Sequence, residues 1–302
     1  MVKKQKRARL IYNPTSGQEI MKKNVAEVLD ILEGFGYETS AFQTTPEENS
    51  ARDEAARAAK AGFDLVIAAG GDGTINEVVN GIAPLPKRPK MAIIPTGTTN
   101  DFARTMDIDA DMKKAAKKIV KAEEKVNVDI GKFSSNRYFT YIASFGLFTS
   151  VAYKTQQNIK NTLGHMAYIF EGIASMTNIE HYNISFTADG REYSGEYIYG
   201  GITNSTSVAG IFKYDQSVVD LCDGLFEVLM IKKPKNPNEF MKIVSGITSG
   251  DLSDTSVFDF CKASRVELNM PSGVVWTLDG EQANGKKKIV IENIPGRITM
   301  VK

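Results

Sequence analysis

The sequence predicts an α/β protein: a doubly wound N-terminal half followed by a mostly β half, about two domains at 302 residues.

 Three observations carry that prediction. Up to about residue 125, short apolar runs alternate with helical stretches, the pattern of a parallel sheet wrapped by helices. From Val126 onward the apolar residues are β-branched and aromatic and often alternate with polar ones, as strands do. The loops behind the early strands are reduced to glycine, hydroxyl side chains and a lone aspartate, and such loops carry the chemistry of an open parallel sheet.

Taken in order, Ala8 to Tyr12 is the first strand, followed by Asn13-Pro-Thr-Ser-Gly17. Helices are predicted over Asn24 to Glu33 and over the Ala-rich stretch Ser50 to Ala61. Leu65 to Ala69 is the next clear strand, with Gly70-Gly-Asp-Gly-Thr74 and a helix over Thr74 to Ile82 behind it. Met91 to Ile94 leads into Pro95-Thr-Gly-Thr-Thr-Asn-Asp101, and a further helix is predicted from Asp111 to Ala122. These runs are continuous rather than alternating, so both faces of each strand should be covered.

The second half reads as VNVDIGKF, RYFTYIASF, YNISFTA, REYSGEYIYGGIT, GLFEVLMIKK, RVELNM, VVWTLDG and KKIVIEN, broken by Asp189-Gly190, Asp223-Gly224 and Asn284-Gly285 turns. Helical inserts are predicted over Gly164 to Met176 and Asn238 to Ser249. The expected division is 1–125, an α/β nucleotide-binding domain, and 126–302, a β-sandwich-like domain, with the extreme C-terminus free to pack back on the first.

Lys plus Arg (37) nearly cancels Asp plus Glu (36), which excludes a global attraction to nucleic acid and leaves any partner to be read from local sites. Cys222 and Cys261 are two isolated thiols, the pattern of a reduced, cytoplasmic protein. The start, MVKKQKRARLIYN, has too short an apolar run for a signal peptide or a membrane span. Its basic cluster, Lys3, Lys4, Lys6, Arg7 and Arg9, reads either as a solvated tail or as a weak attraction to anionic lipid.

Around the second loop the local physics favours an anion. Thr74 and Glu77 have the spacing of a capping box, which would fix the helix start and aim its amides and positive dipole end at whatever the glycines admit. Asp72 would repel a phosphate and is better read as holding a metal ion, through water, beside substrate phosphates. The loop lacks the Gly-Lys-Ser/Thr ending of a P-loop, and Asn76 stands where a dinucleotide motif has its third glycine.

Gly70-Gly-Asp-Gly-Thr74 with Asn76-Glu77, Asn13-Pro14 and Gly17 upstream, and Pro95-Thr-Gly-Thr-Thr-Asn-Asp-Phe102 downstream together resemble the catalytic domain of the diacylglycerol kinase and sphingosine kinase superfamily. The likeness is to its soluble bacterial diacylglycerol kinases and runs over essentially the whole chain. It implies ATP bound between two domains by Asn13, Pro14, Thr15, Ser16, Gly17, Thr44, Gly71, Asp72, Gly73, Thr74, Ile75, Asn76, Glu77 and Thr98. By their own chemistry, Thr44 reads equally as a loop threonine and Thr98 as a helix cap. The resemblance also implies an acidic network around Mg²⁺ at Asp72, Asp101 and Asp129, and, in Val275-Trp-Thr-Leu-Asp-Gly-Glu281, a general base at Glu281 with a metal-linked Asp279. Residues two apart on a strand share a face, so those two carboxylates are expected to look the same way, while Asp-Gly is also a hairpin signal.

Asp220-Leu-Cys-Asp-Gly-Leu-Phe226 matches a turn that in these kinases binds a structural Mg²⁺, with Asp220, Asp223 and Leu225 as the implied ligands. Cys222 and Leu225 depart from the usual pattern there, and a plain Asp-Gly turn is the alternative. His165 and His181 are expected to be structural or surface residues, because a carboxylate suffices as base for phosphoryl transfer. The aromatic and methionine residues between Tyr141 and Met176 read as acyl pocket or as plain core. The function so implied is transfer of the γ-phosphate of ATP to diacylglycerol at a membrane surface by a peripheral cytoplasmic enzyme, and it leaves room for a homodimer. The alternatives are a kinase of another lipid alcohol and a silent nucleotide-binding regulator.

Overall fold

A computed structural model describes residues 5–98, 100–122, 125–134, 136–147, 179–205, 207–208, 212–213 and 219–302. The chain divides into two compact units, one of Met1–Ile130, Tyr138–Thr140 and Ile294–Lys302, the other of Gly131–Arg137 and Tyr141–Asn293. The helix expected over Gly164 to Met176, His165, and the candidate acyl-pocket residues from Phe148 to Met176 lie outside the described residues.

In the first unit, β1 (Lys6–Tyr12), β2 (Tyr37–Gln43), β3 (Leu65–Gly70) and β4 (Lys90–Pro95) form a parallel sheet in the order β2-β1-β3-β4. All six residues of β3 are buried, which is why that strand reads as an unbroken apolar run. β2, YETSAFQ, lies at the edge and is only half-buried, so no apolar run marks it in the sequence. Helices α1 (Ile20–Gly34), α2 (Ser50–Lys60), α3 (Asp72–Ile82), the short α4 (Asp101–Thr105) and α5 (Met112–Lys121) complete the repeat. Leu10, Val28, Leu32, Ile67, Ile94 and Ile119 share one hydrophobic core with Val301, and Met300 pairs in parallel with Met91 beyond β4. Burying these side chains contributes roughly 1.5–3 kcal/mol each.

Two strands run from one unit into the other: β5 (Lys125–Phe133) and the last strand, β17 (Lys288–Val301). β6 (Arg137–Phe139) precedes the second unit's β7 (Ile142–Gly146), β8 (Tyr182–Ala188), β9 (Arg191–Thr203), the short β10 (Ser207–Val208) and β11 (Phe212–Lys213), and β12 (Phe226–Lys232). After them come α6 (Pro237–Ser249), β13 (Phe258–Ala263), β14 (Arg265–Asn269), β15 (Val275–Leu278) and β16 (Glu281–Asn284). Apart from β10 and β11, which pair with each other as a separate ribbon, the strands of this unit form one antiparallel network where a sandwich of two sheets was expected. The reason is the length of β9, whose Arg191 to Tyr197 pair with β8 while Tyr199 to Thr203 pair with both β7 and β12. Trp276 is fully buried against Phe145 and Phe133, with ring centroids 4.8 and 5.2 Å away. α6 has the expected start and stop: Asn236 accepts from the Glu239 amide, Pro237 follows, and Gly250 closes the helix at φ 77°.

Candidate functional site

The register of the parallel sheet brings the three loops of interest to one edge. Tyr12 lies level with Gln43 and Ala69, Ala69 with Ile94, and Gly70 with Pro95, so Asn13, Thr44, Gly71 and Thr96 all leave the sheet together. Backbone bonds continue that register beyond the strands: Asn13 N donates to Ala69 O, Thr44 N to Tyr12 O and Thr96 N to Gly70 O, at 2.9, 2.9 and 3.0 Å.

Side chains then tie the loops to each other. The Asn13 carboxamide oxygen accepts from both the amide and the hydroxyl of Thr15, at 3.0 and 2.9 Å, holding the Asn13-Pro-Thr turn. The Ser16 and Thr96 hydroxyls are 2.7 Å apart. Gly17 has φ 54°, and a side chain there would strike the Thr96 carbonyl, so glycine is required twice over. Across the middle, a Cβ on Gly97 would lie 2.5 Å from Gly71 Cα, so the β3 and β4 loops meet backbone to backbone. Asn100 closes the β4 loop by accepting from Gly97 N and donating to Gly97 O, at 3.0 and 2.7 Å.

The helix behind the glycines starts earlier than the sequence predicts. Gly71 is the N-cap and α3 begins at Asp72, with no side-chain cap hydrogen bond. The expected capping box does not form, because Thr74 already lies inside the first turn and Glu77 is engaged elsewhere: its carboxylate accepts from Ala51 N and Arg52 N, at 2.8 and 3.3 Å, at the start of α2. Ile75 is fully buried and its amide is bonded to Gly71 O. Asn76 is 5% exposed and donates to Tyr138 O, a carbonyl it shares with Asn80. The side chains of Ile75, Asn76 and Glu77 are therefore engaged within the protein, and the segment from Gly71 to Thr74 forms the start of the helix, where amides are left without intrahelical partners. Thr98 is exposed, and Asn100, not Thr98, is the N-cap residue of α4.

The carboxylates differ in setting. Asp72 Oδ1 accepts a long bond, 3.4 Å, from Phe102 N, which sets Asp72 beside the start of α4 and next in line to the buried Asp101. Asp129 is 1% exposed, and its Oδ1 accepts from Gly296 N at 2.7 Å. In the second unit Asp279 and Glu281 do not share a face. Asp279 and Gly280, at φ 50° and φ 88°, are the two residues of a hairpin turn closed by the Leu278–Glu281 pair, so Asp279 lies in the turn and Glu281 just after it, and the period-two rule does not hold across a turn. Asp279 is 3% exposed and accepts from Tyr141 N and Ile142 N, both at 3.0 Å, whereas Glu281 is exposed.

Asp220, Asp223 and Leu225 lie on one turn. Each aspartate accepts the amide two residues on, Cys222 N and Leu225 N, at 2.9 Å, and Leu225 O accepts from Asn293 Nδ2 at 3.1 Å. Among the described residues, no three His, Cys, Asp or Glu side chains gather as a metal site. Lys262 Nζ lies 3.1 Å from Asp223 Oδ2. Both cysteines are free thiols, and His181 is tied to Ile179 O and Lys233 Nζ, at 3.0 and 3.1 Å, as a structural residue would be.

Several contributors are not visible from the sequence. Tyr138 N donates to Asn80 Oδ1 at 2.8 Å, completing a clasp on α3 that an ordinary helical asparagine does not advertise. Thr96 gives no signal beyond its place in the loop. Glu227 does give one: it is the only acid in the apolar strand FEVLMIK, and it is 1% exposed. Among the described residues no helix is long and apolar enough to cross a membrane.

Comparison with known proteins bears on the whole chain. The diacylglycerol kinase catalytic domain matches residues 7–133. A diacylglycerol kinase of Bacillus subtilis (strain 168) is 41% identical over 279 residues, covering 91% of this chain and 90% of that protein. One of Staphylococcus carnosus (strain TM300) is 37% identical, covering 91% and 89%. The crystal structure of a diacylglycerol kinase from Bacillus anthracis shares the fold at a TM-score of 0.74 and 24% identity, covering 99% of this chain and 97% of that one. A second solved chain from the same organism reaches a TM-score of 0.80 at 27% identity, covering 100% and 98%. With its loop motifs, its fold and nine-tenths of its length shared in this way, the chain belongs to the diacylglycerol kinase family.

Proposed function

We propose that this protein is an ATP-dependent diacylglycerol kinase that works at a membrane surface, moving the γ-phosphate of ATP to the free hydroxyl of diacylglycerol and releasing phosphatidic acid. The observation that supports it most directly is the meeting of the β1, β3 and β4 loops at one sheet edge, around a helix start that no side chain caps. Such a start suits phosphate, because its first amides and dipole end carry positive charge.

In this reading the nucleotide is held by the Asn13–Gly17 loop, Thr44, the Gly71–Thr74 segment and Thr98 in the α/β half. Asp72, Asp101 and Asp129 would hold Mg²⁺, which would supply neutralisation of charge on the phosphoryl oxygens. Glu281 accepts the proton of the acceptor hydroxyl, and its exposure lets it pass that proton on to water. Asp279 is a positioning residue, since its bonds to Tyr141 N and Ile142 N fix the turn that carries Glu281. Asp220, Asp223 and Leu225 form a seat for a structural cation, for which the turn offers carboxylate and carbonyl oxygens of the right chemistry.

The test is ³²P transfer from labelled ATP with Mg²⁺ into diacylglycerol, phosphatidylglycerol, ceramide and sphingosine in mixed micelles, comparing the parent with Glu281→Gln. Label is expected in phosphatidic acid, falling by about 10²–10⁴-fold in the variant, the usual contribution of a general base. Label in another lipid would change the acceptor and keep the chemistry; ATP binding without transfer to any acceptor would establish a silent regulator instead.

A further inference from the structure

Glu227 stands out among the buried groups that the proposed chemistry does not use. It is 1% exposed, and neither of its carboxylate oxygens has a hydrogen-bond partner. Burying a carboxylate in that way costs several kcal/mol unless a cation compensates it. Among the described residues the cation paired with it is Lys262, directly opposite on β13, whose Nζ lies 3.4 Å from Glu227 Oε1. The same Nζ is 3.1 Å from Asp223 Oδ2, so one ammonium faces two carboxylates and leaves a negative charge uncompensated. The side-chain oxygen of Asn293, whose amide nitrogen holds Leu225 O, is also buried without a donor.

We infer that Glu227 and Lys262 complete the Asp220–Leu225 turn as a cation seat, in which the Lys262 ammonium and a divalent cation compete for the same two carboxylates, Asp223 and Glu227. A hard divalent cation balances both charges where a single ammonium cannot, and Mg²⁺ in particular is commonly held by one or two carboxylates while keeping several waters. Lys262 is 34% exposed on a flexible stem, so its head can move to water when the cation enters. This inference rests on reading the turn as a cation site, and it adds a ligand and a competitor that the Asp220, Asp223 and Leu225 set does not contain.

The experiment is titration of the full chain with Mg²⁺ in the absence of nucleotide, by calorimetry and by thermal unfolding in EDTA against Mg²⁺, for the parent, Lys262→Met, Glu227→Gln and Asp223→Asn. The part of the response that Asp223→Asn removes belongs to the turn. For that part, Lys262→Met should bind Mg²⁺ about tenfold more tightly, and Glu227→Gln about tenfold more weakly. Glu227→Gln should also melt no lower than the parent in EDTA, because it removes a buried charge. Where Lys262→Met does not fold without Mg²⁺, Lys262→Gln serves in its place. Parental affinity in either the Lys262 or the Glu227 variant would overturn the competition. If Asp223→Asn removes nothing from the parent or from the Lys262 variant, the seat itself is wrong; phosphate transfer to diacylglycerol, measured separately, tells that outcome from a failure of the kinase reading.

Discussion

Asp279 holds a left-handed backbone, φ 50°, that most residues adopt only at a cost, and it does so while its carboxylate secures two buried amides. Asn tolerates the same backbone angle and keeps one oxygen acceptor. Asp279→Asn should therefore melt close to the parent, whereas Asp279→Ala, which strands both amides, should lose about 3 kcal/mol by denaturant unfolding. Transfer rates separate the two roles that a carboxylate can have here. A positioning residue predicts that Asp279→Asn keeps much of the parental rate; a fall as deep as that of Glu281→Gln, at unchanged melting, would make Asp279 part of the metal network. The DGE motif is legible in the sequence, but its geometry is not, since Asp-Gly is at once a catalytic pattern and a turn and only strand pairing decides which face each acid takes. Glu77 shows the same limit, because its partners, Ala51 N and Arg52 N, come from another helix altogether.

At the scale of elements, charged ties set where helices sit on the parallel sheet. Glu54 of α2 is 6% exposed and is bonded to Arg9 of β1 at 2.6 Å and to Arg57 at 2.7 Å. Burial alone would raise its carboxyl, but the hydrogen bonds from Arg57 and Arg9 outweigh it and hold it below the usual range. The depressed value means that this tie stabilises the fold fully above the ordinary carboxylate pKa and ceases to do so as pH falls through the folded one. Thermal midpoints of parent and Glu54→Gln should differ near neutral pH and converge as pH falls below the ordinary carboxylate range; a constant gap as pH falls would exclude the tie as the cause. Elements buried on both faces, such as β3, are plain in the sequence, as are helices with both end signals, such as α6. The edge strand β2 and the five-residue α4 are not, since neither has an apolar run long enough to carry a period.

At the scale of the whole molecule, the chain returns to where it began. Met300 pairs with Met91, Val301 joins the core of the first unit, Gly296 N binds Asp129, and Arg297 Nε and Lys302 Nζ donate to Ala83 O and Met106 O, at 2.8 and 3.2 Å. Removing residues 294–302 should lower the melting temperature of the first unit and weaken ATP binding, although none of these residues belongs to a nucleotide loop. Unchanged ATP affinity in the shortened chain would show that the first unit closes without them. The same contacts impose an order in time. Domains usually fold from the N-terminus as the ribosome delivers them, yet the first unit here lacks a strand partner and part of its core until residue 302 has been made. A chain abandoned partway through translation would thus carry every glycine loop proposed to hold the nucleotide and still have no finished scaffold to hold them.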